Sequence, residues 1–389
     1  MEDEVSLTLS PAPGPSARGR GPTTPVIPSY EGRPMSLPLH TRTLAAVGAL
    51  TLALGLSACS SSPAAGEQQS TATATPEQTE SATPLVVYSG RDEGLVAPLI
   101  EKFEAASGVD VEVRYGGTTE LAAQLLEEGD RTPAHVFLSQ DAGALGALAD
   151  AGLFVTLPGS ITSAVAPQYT STDGTWVGVT GRARVVAYDS QQLTADEVPT
   201  DLAELTDPRW RSQVAIAPTN ASFQTFVTAL RETAGEQAAQ AWLEGLVAND
   251  VQVFEKNGAI LEAVDAGTVQ LGLINHYYWA GHEQDPTTLR AQLAFGAPGT
   301  VDALVNVTGA GILAGGTQHP AATELLAYLV GDEAQTYFVE ETHEYPLVEG
   351  VGSPAHVPPL AELGGPDLDL ARLASLEQTV ALLTQVGLV

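Results

Sequence analysis

Two adjacent tyrosines, Tyr277 and Tyr278, follow the apolar run Leu273-Ile274-Asn275, with His276 between. A phenol holds its proton to about pH 10, so only a strongly polarising cation makes it an anionic oxygen ligand at neutral pH. A tandem pair after a strand can therefore serve a hard, highly charged ion. It can equally be an aromatic pair in which one ring packs and the other faces out, and the residues alone leave both readings open. Arg182 has a planar fork that suits a small oxyanion, or it forms a structural ion pair. His276 adjoins the tyrosines and could donate a hydrogen bond behind them, but reads rather as a surface histidine, and His282-Glu283 lacks the second histidine of a zinc helix. Gly309-Ala310-Gly311-Ile312-Leu313-Ala314 formally fits a dinucleotide fingerprint. It continues into Gly315-Gly316 with no helix opening, and so reads as a strand of small residues. Lys102 and Lys256 are the only lysines, and neither sits in a phosphate loop. Nothing here supports an enzyme.

The elements that must position these residues alternate between strand and helix. Leu85-Val86-Val87-Tyr88 reads as a buried strand, and a helix opens near Asp92-Glu93 with Leu95, Val96, Leu99, Ile100 and Phe103 at helical spacing. Val109, Val111 and Val113 alternate with Asp110 and Glu112 as a strand with one wetter face. Residues 119–128 read as helix, Val136-Phe137-Leu138 as strand and residues 141–151 as helix. This rhythm predicts an α/β fold with a mostly parallel sheet covered by helices. Ligands of such sheets bind where strands end and helices begin. Three short junctions fit: Ser89-Gly90-Arg91-Asp92, Ser139-Gln140-Asp141 and Asn275-His276-Tyr277-Tyr278.

Cys59 is the sole cysteine in the 389 residues. It follows His40 and Arg42, an apolar run over residues 44–56, and Leu56-Ser57-Ala58. A basic flank, a short apolar stretch and small residues describe an export signal. The run falls short of the roughly 20 residues that span a bilayer. Leu-Ser-Ala-Cys resembles a lipobox, which places the product on the outer face of the cytoplasmic membrane, lipid-anchored at Cys59. Met35 is the only methionine besides Met1, and a start there gives a compact signal over residues 35–58. Residues 1–34 then read as a non-native or disordered leader, and the Ser/Thr/Ala/Pro-rich residues 59–83 as a disordered tether. The remaining ~300 residues exceed one comfortable core and suggest two lobes. Removing residues 1–58 takes four charges of each sign, so the net charge stays at −31. That excludes nucleic acid and an electrostatically held membrane surface. With Cys59 lipidated, thiolate metal sites, disulfides and cysteine nucleophiles are excluded together.

Across residues 85–389 the chain resembles the ferric-ion-binding proteins of bacterial iron ABC importers. The matching stretches include Val87-Tyr88-Ser89-Gly90, Pro133-Ala134-His135-Val136-Phe137 and Thr180-Gly181-Arg182-Ala183-Arg184-Val185-Val186. They continue with Pro218-Thr219-Asn220-Ala221, Lys256-Asn257, Leu273 to Trp279 and Glu344-Tyr345-Pro346-Leu347. The resemblance implies a two-lobed periplasmic-binding-protein (type II) fold with hinge strands and a ligand cleft between lobes. Its lobes would be residues 84–181 with 307–358, and residues 182–306 with 359–389. It implies Fe3+ as cargo, Tyr277 and Tyr278 as phenolate ligands, and delivery by a monomer to an ABC permease and its ATPase.

The best-known branch has a histidine where this chain has Asp92, and a glutamate where it has Gln140. Asp92 still offers a carboxylate oxygen, whereas Gln140 is a poor iron ligand. Glu93 and Asp141 are neighbours that could substitute, or that simply favour a helix N-terminus. Another branch has a further tyrosine where this chain has Phe223. Family members hold a synergistic anion such as carbonate or phosphate. Its candidates here are Arg182, Asn220, Ala221, Ser222, Asn257, Asn275 and Gln140. The alternative function is a binding protein for an organic or phosphorus-containing anion held directly by Arg182, Asn220 and Asn257.

Overall fold

The computed structural model describes residues 83–389. The leader, the signal segment, Cys59 and the tether up to residue 82 lie outside the described residues.

Among the described residues ten strands form one mixed sheet, not the mostly parallel sheet expected, because one long central strand pairs antiparallel with four neighbours. They are β1 (Leu85–Ser89), β2 (Val111–Tyr115), β3 (Val136–Ser139), β4 (Trp176–Asp189), β5 (Val214–Ile216), β6 (Gln252–Val253), β7 (Leu271–Asn275), β8 (Ala291–Phe295), β9 (Val305–Ile312) and β10 (Tyr345–Pro346). Along the sheet they run β2-β1-β3-β9-β4-β7-β5-β6, and β8 and β10 also pair with β4. The helices are α1 (Glu93–Ser107), α2 (Thr118–Glu128), α3 (Ala142–Asp150), α4 (Gly159–Thr162), α5 (Ala221–Ala234) and α6 (Glu236–Ala248). They continue with α7 (Asn257–Asp265), α8 (Tyr277–Ala280), α9 (Pro320–Leu329), α10 (Asp332–Glu340), α11 (Leu360–Leu363) and α12 (Leu376–Gln385). Every strand and helix expected in the first part of the chain is present. The edge strand β2 shows the alternation its valines and acids require.

Strand β4 organises the molecule. Over Trp176–Ala183 it pairs antiparallel with β9, beside β3 and β1. From Arg184 onward it pairs instead with β7 and β8. One strand therefore serves two lobes, and Ala183 lies where the change of partners occurs. The expected strand of small residues is β9, and its glycines are demanded by close packing. A Cβ on Gly309 would meet Leu145 at 2.6 Å, and one on Gly311 would meet the Phe154 ring at 2.7 Å.

Two hydrophobic clusters make up the core. The larger gathers Val87, Phe103, Phe137, Trp176, Phe223 and Phe226 with their neighbours. The smaller joins Ala183, Val185, Ile260, Trp279 and Tyr345. The C-terminal segment touches elements of both halves. Its turn over residues 370–374 lies against α3, where a Cβ on Gly143 would come within 2.5 Å of the Leu373 carbonyl. It then bonds to α5, where Arg231 donates to the Ser375 carbonyl and to Thr379 Oγ1, each at 2.8 Å.

Candidate metal centre

The three junctions expected to carry ligands do lie at strand ends, after β1, β3 and β7. A fourth follows β5, where Asn220 caps α5 by accepting the Ser222 N–H at 3.1 Å. At the β7 junction His276 adopts helical dihedrals, φ −56° and ψ −37°, and the single turn α8 begins. Buried Trp279 anchors that turn, its indole N–H donating to the Ala291 carbonyl at 2.8 Å. Tyr277 and Tyr278 stay half-buried, with rings stacked 4.5 Å apart and inclined by 26°. Burial raises the Tyr277 pKa above the ordinary phenol value, and Tyr278 adds to this. The fields of Arg91 and Arg182 pull it back.

Three buried arginines surround the pair. Arg91 donates to Glu344 Oε2 at 2.9 Å, and Arg182 Nε lies 3.8 Å from Glu344 Oε1. Arg182 also donates to the carbonyls of Gln140 and Val307. Glu344 is fully buried and shared between the two cations. Arg184 differs from both, because among the described residues no carboxylate pairs with it. Its Nη1 donates to Ser222 Oγ (3.4 Å), Asn257 Oδ1 (3.3 Å) and Asn275 Oδ1 (3.4 Å), and its Nη2 to the Leu273 carbonyl (2.8 Å). The guanidinium also lies 5.7 Å from the ring centroids of Phe223 and Phe226. Desolvation lowers its pKa to about 9, while the two tyrosines pull upward. A buried cation ringed by neutral groups leaves its charge available to an incoming anion.

The expected anion residues divide accordingly. Asn220, Ser222, Asn257 and Asn275 come together around Arg184, with Asn257 Nδ2 donating to Asn220 Oδ1 (3.2 Å) and Ser222 Oγ (3.3 Å). Ala221 opens α5 beside them. Arg182 does not join Asn220 and Asn257; it is turned to Glu344 and Gln140, and Arg184 occupies that place. Phe223, at the further-tyrosine position of another branch, is a fully buried face beneath Arg184. Gln140 is half-buried, and its backbone N–H donates to Thr118 Oγ1 at 3.1 Å.

The carboxylates are spread apart. Asp92 is exposed and caps α1, with Oδ1 accepting the Gly94 N–H at 2.9 Å. Glu93 is exposed in the first turn of that helix. Asp141 is buried as the cap of α3, and desolvation raises its pKa. Among the described residues no three His, Cys, Asp or Glu side chains gather into a metal-holding group. His276 corrects the sequence reading: it is fully buried rather than at the surface, because the turn into α8 folds its ring back against β4. Burial lowers its pKa to about 3, against an upward pull from the His343 backbone.

Sequence reasoning also missed Arg184 and Glu344. Spacing of i, i+2 from Arg182 puts Arg184 on the same face of β4, a signal present in the sequence. Glu344 meets Arg91 across 253 residues of chain, which no local pattern announces.

The fold is that of a two-lobed binding protein, its lobes joined through the shared strand β4. The chain belongs to the family described as bacterial extracellular solute-binding protein, which matches residues 131–369. It is 32% identical over 307 residues to the Fe(3+)-binding periplasmic protein of Serratia marcescens, covering 78% of this chain and 90% of that one. Iron-bound HitA from Pseudomonas aeruginosa superposes with a TM-score of 0.73 at 31% identity, covering 78% of this chain and 99% of that one. A Trichodesmium protein (IdiA, FutA) in complex with iron and citrate gives 0.68 at 25% identity, covering 79% and 100%.

Proposed function

We propose that this chain is the extracytoplasmic solute-binding component of an ABC importer. It captures Fe3+ through the Tyr277 and Tyr278 phenolates, with an anion seated at Arg184. The observation that carries this reading is the stacked tyrosine pair beside a buried arginine that has no carboxylate partner. Two phenolates cancel two of the three iron charges, and an oxyanion both neutralises the remainder and meets Arg184. Asp92 keeps one carboxylate oxygen outside its cap and is assigned as the further protein donor. The remaining positions of an octahedron fall to the anion or to solvent.

Carbonate, phosphate and polydentate carboxylates such as citrate all have the required oxygens. The Serratia, Pseudomonas and Trichodesmium relatives, named for iron, support the choice of cargo. Closure of the lobes about the shared strands holds the ion, and reopening at the permease and its ATPase releases it. Lipidation at Cys59 tethers the protein to the outer face of the cytoplasmic membrane.

Equilibrium dialysis of ferric iron, with and without each anion, tests the proposal. One iron per chain with retention that needs an oxyanion is expected. Anion binding that is equally tight without iron would favour the second reading, direct capture of an organic or phosphorus-containing anion at Arg184.

A further inference from the structure

The turn that carries the tyrosines is fastened to β4 by one side chain. The His276 N–H donates to the Ala183 carbonyl at 3.1 Å, one step beyond the Arg184–Asn275 pair of the β4–β7 ladder. In a regular antiparallel ladder the carbonyl of residue 276 would accept the Ala183 N–H in return. It cannot, because the helical turn at His276 directs that carbonyl to the N–H groups of Trp279 and Ala280, each at 3.1 Å. Ala183 is buried, and its N–H would be stranded. The imidazole takes the place of the carbonyl: Nδ1 accepts the Ala183 N–H at 3.1 Å. The ring is then held by stacking on Tyr345 at 4.4 Å and meets the edge of Tyr277 at 6.0 Å. Tyr345 is itself fixed, pairing with Gly181 of β4 and donating its hydroxyl to the Pro358 carbonyl at 2.9 Å. Ala183 lies between Arg182 and Arg184, where β4 changes partners.

We propose that His276 is a positioning residue for iron binding, fixing the Tyr277–Tyr278 turn to β4 in register with Arg182 and Arg184. This rests on the tyrosinate reading above. A two-point tie at the crossing between lobes also makes the tyrosine geometry depend on the conformation of the shared strand.

The test uses the full chain with two variants. His276→Phe keeps a ring to stack on Tyr345 but has no acceptor, whereas His276→Asn keeps an acceptor on a short side chain. The readouts are the iron–phenolate charge-transfer maximum and the iron dissociation rate, with the ligand-free unfolding midpoint as control. Losing one buried hydrogen bond predicts iron release about tenfold faster and a shifted band in His276→Phe. Return to within roughly threefold of wild type is expected in His276→Asn. A wild-type band and release rate in His276→Phe would overturn this inference alone. No band in the wild-type protein would remove the tyrosinate reading and this inference with it. Should His276→Phe not fold, amide exchange in the wild-type protein decides: a protected Ala183 N–H is expected, and one exchanging as freely as a surface amide overturns the tie.

Discussion

Replacing Arg184 with methionine should stabilise the ligand-free protein while weakening its hold on ligand. The drop in pKa from 12.5 to about 9 means that the fold disfavours the charged guanidinium. At 1.36 kcal/mol per tenfold change, this amounts to ~5 kcal/mol. Because the folded value lies below the unfolded one, that destabilisation is fully present below pH 9 and fades as pH rises from 9 towards 12.5. The four acceptors that methionine would leave unbonded offset part of it. One of the lost bonds is at 2.8 Å and three are at 3.3–3.4 Å, so stranding those acceptors costs about 3 kcal/mol. Methionine fills a similar volume without a charge. The expected gain is therefore ~2 kcal/mol, seen as a rise of roughly 3 °C in the apo melting midpoint. Anion affinity should fall by roughly 10- to 150-fold, as charge-assisted bonds are lost. Calorimetry of the apo protein and iron titration at fixed phosphate read the two effects separately. A variant destabilised by more than about 2 kcal/mol, with unchanged anion dependence, would refute the reasoning and make Arg184 a structural residue.

Other substitutions and conditions test different parts of the site. Asp92→Asn keeps a good cap for α1, so the melting midpoint should hold while iron affinity falls about tenfold; unchanged affinity would remove Asp92 from the ligand set. Glu344→Gln leaves Arg91 and Arg182 buried without their shared counter-ion and should cost about 3–5 kcal/mol in chemical unfolding; a loss below 1 kcal/mol would mean that solvent already compensates them. Because the Tyr277 pKa is raised, its phenol is protonated at neutral pH and must release that proton when iron binds. Iron affinity should accordingly rise at least tenfold per pH unit between about pH 6 and 8, measured at constant free Fe3+. A flat profile would contradict phenolate ligation by Tyr277.

The elements were legible where apolar periodicity is strong. The buried run of β1, the helical spacing from Leu95 to Phe103 and the alternation of β2 each announce one element. The candidate junctions could be placed because parallel strands end where helices begin, and all three lie there. The cation of the candidate anion site was read as Arg182, two residues from Arg184. Strand alternation puts both on one face but does not say which reaches Glu344, because that carboxylate arrives from the far end of the chain. His276 was read as a surface histidine in preference to a donor behind the tyrosines. What buries it is a backbone need at Ala183, created only when β7 turns into α8. Sequence patterns report side-chain preferences well, and a stranded N–H on a neighbouring strand leaves no trace in them.

The proposed binding of ferric iron by the Tyr277 and Tyr278 phenolates can be read in a visible-absorption titration of the protein with ferric citrate, run beside Tyr277→Phe and Tyr278→Phe. A saturable phenolate-to-iron band at one equivalent, lost or shifted in each variant, is the predicted result. Iron bound without such a band, or a band indifferent to both substitutions, would contradict the account.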